Sequence, residues 1–186
     1  MKILYNSLEK KLGINFKDKD LLVKSLTHKS FDNQQNNEKI EFLGDRVLGL
    51  VIAKKLLEIY PNEKEGVLDK KFASLVNRRT CLQIANEIEL EKYILVFRPK
   101  NRKTIIENKV IADSCEALIG AIYKCFNSIL EVNLWLDDIW EIDSEIFLKA
   151  PYKFKSKTVL QEWCQSKGFE LPVYKIIQVS DKNGDP

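Results

Sequence analysis

The stretch EKIEFLGDRVLGLVIA, residues 38–53, combines an apolar helical pattern with acidic residues at fixed intervals. Gaps of three and four residues place Glu38, Glu41 and Asp45 on one face of a helix. Apolar residues fill most of the other positions, which predicts a helix that is buried on several sides. An ionised carboxylate in such surroundings is costly unless it is paired or binds a metal ion.

A second stretch, VIADSCEALIGAIY at 110–123, repeats this pattern with Asp113 and Glu116 three residues apart. If the two helices bring their acids together, four or five carboxylates would repel each other strongly without a cation between them. Carboxylate oxygens suit a hard cation such as Mg²⁺ or Mn²⁺. The sequence therefore predicts a divalent-metal site and hydrolytic chemistry, although acids on the surface of a solvated helix would show the same spacing.

The composition is that of a globular protein, with 186 residues of which 45% are hydrophobic and 31% charged. The net charge of +3 lies in the tail, because seven lysines and four acids follow residue 148. The four cysteines form no C-x-x-C pair and His28 is the only histidine, so we expect no zinc site and a reducing cytosol. We also expect no signal peptide and no membrane span, and hence a cytoplasmic protein.

Helical periodicity dominates up to about residue 148. It predicts a short helix that ends at Gly13, a second helix capped by Asp18 or Asp20, and the first acidic helix, which stops before Pro61. A turn over 62–66 follows, and then helical spacing from Leu68 through Val76 to Ala85. The second acidic helix and an amphipathic helix over 130–139 complete the domain. We expect a main domain over 1–148 and a linker over 149–157. A helix over 158–167 with Gly168 as its C-cap and a strand over 173–179 would then form an incomplete second unit, 158–186.

Residues 37–48, NEKIEFLGDRVL, strongly resemble the signature of bacterial ribonuclease III. Further matches follow in the family's order: LTHKS at 26–30, EGVL at 65–68, ASLV at 73–76 and ADSCEALIGAIY at 112–123. The segments TVLQEWCQSKG at 158–168 and LPVY at 171–174 are similar to the start of a double-stranded-RNA-binding domain. The resemblance covers about residues 8–180.

The resemblance implies an all-α endonuclease domain that forms a homodimer and cleaves double-stranded RNA with magnesium, followed by the first helix and strand of an α+β RNA-binding domain. Such an enzyme would process rRNA and mRNA precursors and leave 5′-phosphate and 3′-hydroxyl ends. By the same resemblance, Glu41, Asp45, Asp113 and Glu116 match the metal-binding acids, and Asp45 and Glu116 match the catalytic ones. Glu38 and Glu65 match acids linked to the dimer contact and the substrate, and Thr158, Gln161 and Glu162 match the helix that enters an RNA minor groove.

The sequence departs from the family at two positions. Arg46 stands where the family usually has a small residue, but one residue is about 100° of helical turn, so Arg46 need not touch the metal. Phe72 stands where an arginine is common. Residues 149–186 also do not include the later strands, the final helix or the lysine-rich turn of the RNA-binding domain, so we expect weak RNA binding by this segment.

Several alternatives remain open from the sequence. An all-helical nucleoside triphosphate pyrophosphohydrolase also pairs helical acids with magnesium, and a non-catalytic RNA-binding relative would keep the fold. Glu38 and Glu65 could simply favour helix N-termini, and we expect His28 to be structural. The basic residues Arg98, Lys100, Arg102 and Lys103 contact phosphate or form a solvated loop, and Leu43, Val47, Leu50 and Val51 belong to the core or to a dimer interface.

Overall fold

A computed structural model of the chain describes residues 2–99, 105–139, 164–165, 167–170 and 172. Its backbone divides into two compact units, Met1–Pro151 and Tyr152–Pro186. All the helices whose bounds follow lie in the first unit.

The N-terminal segment forms two short helices, α1 (Lys2–Leu12) and α2 (Lys19–Ser25). Gly13 follows α1 with a left-handed φ of +65°, a conformation that glycine adopts without a steric penalty. Asp18 caps α2, because its carboxylate accepts two backbone N–H groups of the first turn. The predicted end of α1 and start of α2 are therefore confirmed.

The connector between these helices is held by Glu9, whose side chain is buried. Its Oε1 accepts the backbone N–H of Phe16 at 2.6 Å, and Lys19 Nζ lies 2.5 Å from both carboxylate oxygens. A buried carboxylate needs this kind of pairing to be tolerated. Glu9 thus ties α1 to the beginning of α2.

Two long helices, α3 (Glu38–Ile59) and α6 (Asn108–Phe126), pack against each other more extensively than any other pair of described elements. Helix α6 is buried along most of its length, as the sequence predicts. Helix α3 buries one side only. The prediction of burial on several sides is wrong for α3 because Phe42, Leu50 and Leu57 are 65%, 55% and 60% exposed.

Helices α4 (Glu65–Leu75) and α5 (Arg78–Glu87) pack against α3 and α6 respectively. The sequence predicts a turn over 62–66 and helical spacing that continues to residue 85. Instead α4 begins at Glu65, and the chain leaves the helical conformation at Val76 and Asn77. The break is stabilised by the Asn77 side chain, which accepts the backbone N–H of Thr80 at 3.2 Å and so caps α5.

A 3₁₀ turn (Leu90–Tyr93) and helix α7 (Ile129–Ile139) complete the first unit's described elements. After the 3₁₀ turn, Leu95 forms an isolated parallel bridge with Thr27. The part of the chain that the structure describes contains no β-strand, so the predicted all-α class is confirmed for the main domain. None of its helices is long and apolar enough to cross a membrane.

Most of the predicted second unit lies outside the described residues. This holds for the linker over 149–157, the strand over 173–179 and most of the helix over 158–167. Cys164 and Gln165 are helical, and Gly168 has a φ of +71°. The backbone N–H of Phe169 donates to Cys164 O at 2.8 Å, as at a glycine-capped helix C-terminus.

Candidate metal centre

The two acidic helices touch backbone to backbone where they cross. A methyl group built on Gly44 of α3 would overlap the carbonyl oxygen of Glu116 and lie 2.6 Å from its carbonyl carbon. A methyl group on Gly120 of α6 would overlap the carbonyl oxygen of Ile40 and lie 3.0 Å from the Gly44 nitrogen. Only glycine permits so close an approach at these two positions.

This crossing brings the four predicted metal-binding acids into one electrostatic cluster. Glu41 and Asp45 flank Gly44 on α3, and Asp113 and Glu116 lie on the facing part of α6. All four side chains are half-buried. The pKa of Glu41 is raised to about 7. Burial is the largest cause, and the charges of Asp113, Glu116 and Glu38 add to it.

The two acids of α6 are perturbed in the same direction. Burial raises the pKa of Asp113, with Lys109 and Arg78 opposing the shift. Burial also raises the pKa of Glu116, and the nearby charges of Asp45 and Asp113 add to this. The surroundings of each of these carboxylates therefore destabilise its charged form. A bound cation would offset this destabilisation.

Asp45 is the member of the cluster that already has a cation beside it. The Arg46 guanidinium contacts the Asp45 carboxylate, and its Cζ lies 4.5 Å from the centre of the Phe42 ring. The expectation from the sequence was that Arg46 need not touch the metal, because it lies about 100° of helical turn from Asp45. The structure adds that the long arginine side chain folds back along α3 and contacts Asp45 itself.

The side chains do not form a finished ligand cage in this arrangement. Within residues 2–99 and 105–139 and the few described tail residues, no three His, Cys, Asp or Glu side chains come close enough together to hold a metal ion. The charges of these carboxylates influence each other's pKa, although the side chains are not close enough to share an ion. Asp45 is turned towards Arg46.

A cleft of about 470 Å³ lies beside this cluster. Two of the acids, Glu41 and Asp113, line it together with Glu38. A fourth acid, Glu107, also lines it. The other lining residues are polar, basic or apolar: His28, Lys29, Ser30, Asn37, Val96, Phe97, Ile105, Ile106, Lys109 and Val110. Acidic and basic side chains therefore line the same cleft, so a single bound ligand could contact both.

The remaining predicted residues lie in different places. Glu38 lines the cleft and is paired with Lys29 at 2.9 Å, whose charge and hydrogen bond lower the pKa of Glu38. Glu65 is exposed at the first residue of α4 and is not among the described residues that line the cleft. His28 accepts the backbone N–H of Ser30 on Nδ1 at 3.2 Å. The residues Thr158, Gln161 and Glu162, with Lys100, Arg102 and Lys103 of the basic loop, lie outside the described residues.

One residue at the cluster was not expected from the sequence. The thiol of Cys81, on α5, donates a hydrogen bond to Glu116 Oε1 over 3.5 Å. The neighbouring Cys115 thiol, followed by burial, raises the pKa of the Cys81 thiol. The 35 residues that separate Cys81 from Glu116 hide this contact from any local pattern.

Comparison with known proteins agrees with these features. Residues 18–127 match the family model described as Ribonuclease-III-like. The chain belongs to the ribonuclease III family. Ribonuclease 3 of Pelagibacter ubique is 58% identical over 174 residues, covering 91% of this chain and 75% of that protein. Ribonuclease 3 of Bartonella henselae is 40% identical over 186 residues, covering 98% of this chain and 78% of that protein.

Two solved structures show a similar fold. The nuclease domain of ribonuclease III from Campylobacter jejuni is 37% identical with a TM-score of 0.64, covering 73% of this chain and 97% of that one. Dicer from Pichia stipitis is 27% identical with a TM-score of 0.56, covering 72% of this chain and 59% of that one. The predicted family, the nuclease-domain fold and the assignment as a ribonuclease III endoribonuclease are confirmed, and they favour this activity over nucleoside triphosphate hydrolysis.

Proposed function

We propose that this ribonuclease III cleaves double-stranded RNA with a divalent metal ion, Mg²⁺ or its substitute Mn²⁺, and leaves 5′-phosphate and 3′-hydroxyl ends. The observation that carries the proposal is the group of four half-buried carboxylates that the Gly44–Gly120 crossing brings together from α3 and α6. Three of them have a raised pKa. A raised pKa means that the ionised carboxylates are destabilised in the protein alone. A bound cation would stabilise their charged forms.

Glu41, Asp45, Asp113 and Glu116 are the residues that would hold the metal. Their donor set fits the proposed ion, because all four offer carboxylate oxygens, which Mg²⁺ and Mn²⁺ prefer over imidazole or thiolate. When bound, the ion supplies a polarised water and charge stabilisation for phosphodiester hydrolysis. Asp45, which contacts Arg46 in this structure, would be one of these ligands.

The chain's own residues then hold and orient the substrate. We propose Asp45 and Glu116 as the catalytic pair, because they belong to opposite helices and their charges interact. Glu38 keeps Lys29 at the cleft through their ion pair, and Lys109 lies close enough for its charge to affect Glu41 and Asp113. Positive groups beside the acids can bind the phosphates that flank the cleaved bond.

Duplex RNA would be selected through its A-form shape and its 2′-hydroxyl groups more than through base sequence. We propose that Thr158, Gln161 and Glu162 add minor-groove contacts and that Glu65 contributes to substrate handling. The expected setting is the cytoplasm, with rRNA and mRNA precursors as substrates.

We further propose a two-fold homodimer. The exposed residues Phe42, Leu50 and Leu57 form an apolar stripe along α3, and a stripe of this kind is a candidate subunit interface. Since one set of four acids can cut one strand, two copies of the chain would supply the two cuts that a duplex requires. Asp45 and Phe42 are three residues apart on α3, so the interface would lie next to the acids.

The decisive experiment compares the unaltered chain with Glu116→Gln on a long RNA duplex, in Mg²⁺ and in EDTA. The amide keeps the side chain's shape and removes the charge, so we expect duplex binding to remain and the cleavage rate to fall by about 10²–10³, the loss typical of one group that stabilises transition-state charge. Glu58→Gln is the matched control, because Glu58 is an exposed acid on α3 whose described partner is Lys54 at 3.6 Å.

Binding of the ion itself is followed separately by the rise in melting temperature on adding Mn²⁺. We expect this rise in the unaltered chain and in Glu58→Gln and a much smaller one in Glu116→Gln. Cleavage that persists in EDTA, or Glu116→Gln rates equal to those of the control, would contradict the proposal. Hydrolysis of nucleoside triphosphates without duplex cleavage would support the pyrophosphohydrolase alternative instead.

A further inference from the structure

We propose that Cys81 is a positioning residue that holds the Glu116 carboxylate in place for the metal ion. The thiol donates to Glu116 Oε1 at 3.5 Å, a normal distance for a hydrogen bond from sulfur. Among the described residues this is the only side-chain hydrogen bond that Glu116 makes. The inference rests on Glu116 being a metal ligand, as proposed above.

The donor is rigidly placed because it belongs to the protein interior. Cys81 is 1% exposed and Cys115 is 0% exposed, and both lie where α5 packs against α6. Glutamate has three side-chain torsions, and the entropy of fixing them opposes any single orientation. A buried donor on the neighbouring helix reduces that freedom before the metal arrives, as residues behind metal ligands commonly do.

Cys115 is the buried neighbour of Glu116 in the sequence and precedes it on α6. A thiol has one hydrogen to donate. The hydrogen of the Cys81 thiol goes to Glu116 Oε1. A buried cysteine is ordinarily a small apolar residue, and here its S–H group has a defined acceptor.

Two substitutions separate this role from packing. Cys81→Val keeps the volume of the side chain and removes the donor, whereas Cys81→Ser keeps a donor and loses some apolar contact. Cys125→Val is the matched control, because Cys125 is a half-buried cysteine near the end of α6 and is not among the residues of the cluster. Each full-length variant is measured for Mn²⁺ affinity by electron paramagnetic resonance, for duplex cleavage against Mg²⁺ concentration, and for thermal unfolding without metal.

We expect Cys81→Val to weaken Mn²⁺ binding about tenfold, the lower end of the effect seen when residues behind metal ligands are replaced. The cleavage rate should fall at limiting Mg²⁺ and recover at saturating Mg²⁺. Cys81→Ser should keep Mn²⁺ affinity within about threefold of the unaltered chain, and Cys125→Val should change neither affinity nor cleavage.

Equal losses of Mn²⁺ affinity in Cys81→Val and Cys81→Ser would overturn the inference in favour of a packing role. Unchanged affinity in Cys81→Val, with weakened binding in Glu116→Gln, would overturn the inference and leave the proposed function intact. Unchanged affinity in Glu116→Gln would overturn both, since Glu116 would then not be a ligand.

Discussion

Replacing Gly44 with alanine tests whether the backbone contact of α3 and α6 builds the candidate site. The added methyl carbon would lie 2.6 Å from the carbonyl carbon of Glu116 and 2.9 Å from the Gly120 nitrogen. The first distance is about 0.9 Å short of the roughly 3.5 Å at which carbon atoms normally touch. The obstacle is main chain, which cannot rotate away, so the two helices must move apart.

Overpacking of this kind costs about 1–3 kcal/mol. The better helix propensity of alanine returns about 1 kcal/mol. Because the clash is with backbone, we expect the upper end of the cost and a net loss of about 2 kcal/mol in the free energy of unfolding. For a domain of this size that is a fall of about 4–8 °C in melting temperature.

Gly49→Ala provides the control within the same helix. A methyl group on Gly49 would meet the Phe72 ring at 3.4 Å, an ordinary contact, so this variant should be as stable as the unaltered chain or up to about 1 kcal/mol more stable. Urea unfolding followed by circular dichroism measures both variants, and Mn²⁺ titration reports the acids. Equal stability and equal Mn²⁺ affinity of the two variants would refute the reasoning, because α3 and α6 would then tolerate a side chain at their crossing.

Other predictions concern the N-terminal segment, assembly and the tail. Asp18→Ala should cost about 1 kcal/mol of unfolding free energy through loss of the helix cap, as measured by urea unfolding, and no loss would show that water replaces the cap. Glu9→Gln should lower the free energy of unfolding by about 2 kcal/mol, since hydrogen bonds to a charged acceptor are lost. An unchanged free energy of unfolding would mean that a neutral amide replaces these bonds equally well. Leu50→Asp should convert the proposed dimer to a monomer in light scattering, and an unchanged mass would exclude the α3 stripe as the interface. Residues 1–148 alone should cleave duplex RNA nearly as fast as the whole chain at low salt and modestly more slowly at high salt. A large loss of cleavage at low salt would show that residues 149–186 contribute much more to cleavage than this prediction allows.

The parts of the fold that local chemistry controls were predictable. A glycine after three regularly spaced leucines gave the end of α1, and an aspartate before an apolar run gave the cap of α2. The acids of α3 and α6 could be grouped by face because their spacing matches the helical repeat. The break at Asn77 was missed although it has a local signal: an asparagine whose side chain can accept an N–H group three residues later.

Contacts between distant segments could not be predicted in this way. Nothing near Gly44 in the sequence indicates that Gly120 opposes it, because both glycines look like neutral positions inside apolar helices. Cys81 likewise belongs to a helix whose own pattern predicts only burial. The fold-back of Arg46 onto Asp45 depends on a side-chain conformation, which the 100° spacing of helical neighbours does not determine.

The glycine crossing also bears on how this enzyme could change over time. Where two helices meet through side chains, substitutions in the interior alter the distance between the helices. The geometry of a site between them, and with it the turnover rate, changes as well. Here main-chain atoms set the separation, so mutations elsewhere in the apolar interior should alter how much protein is folded while leaving the turnover of each folded molecule nearly constant. Lineages of this protein could therefore adjust their thermal tolerance without readjusting their chemistry.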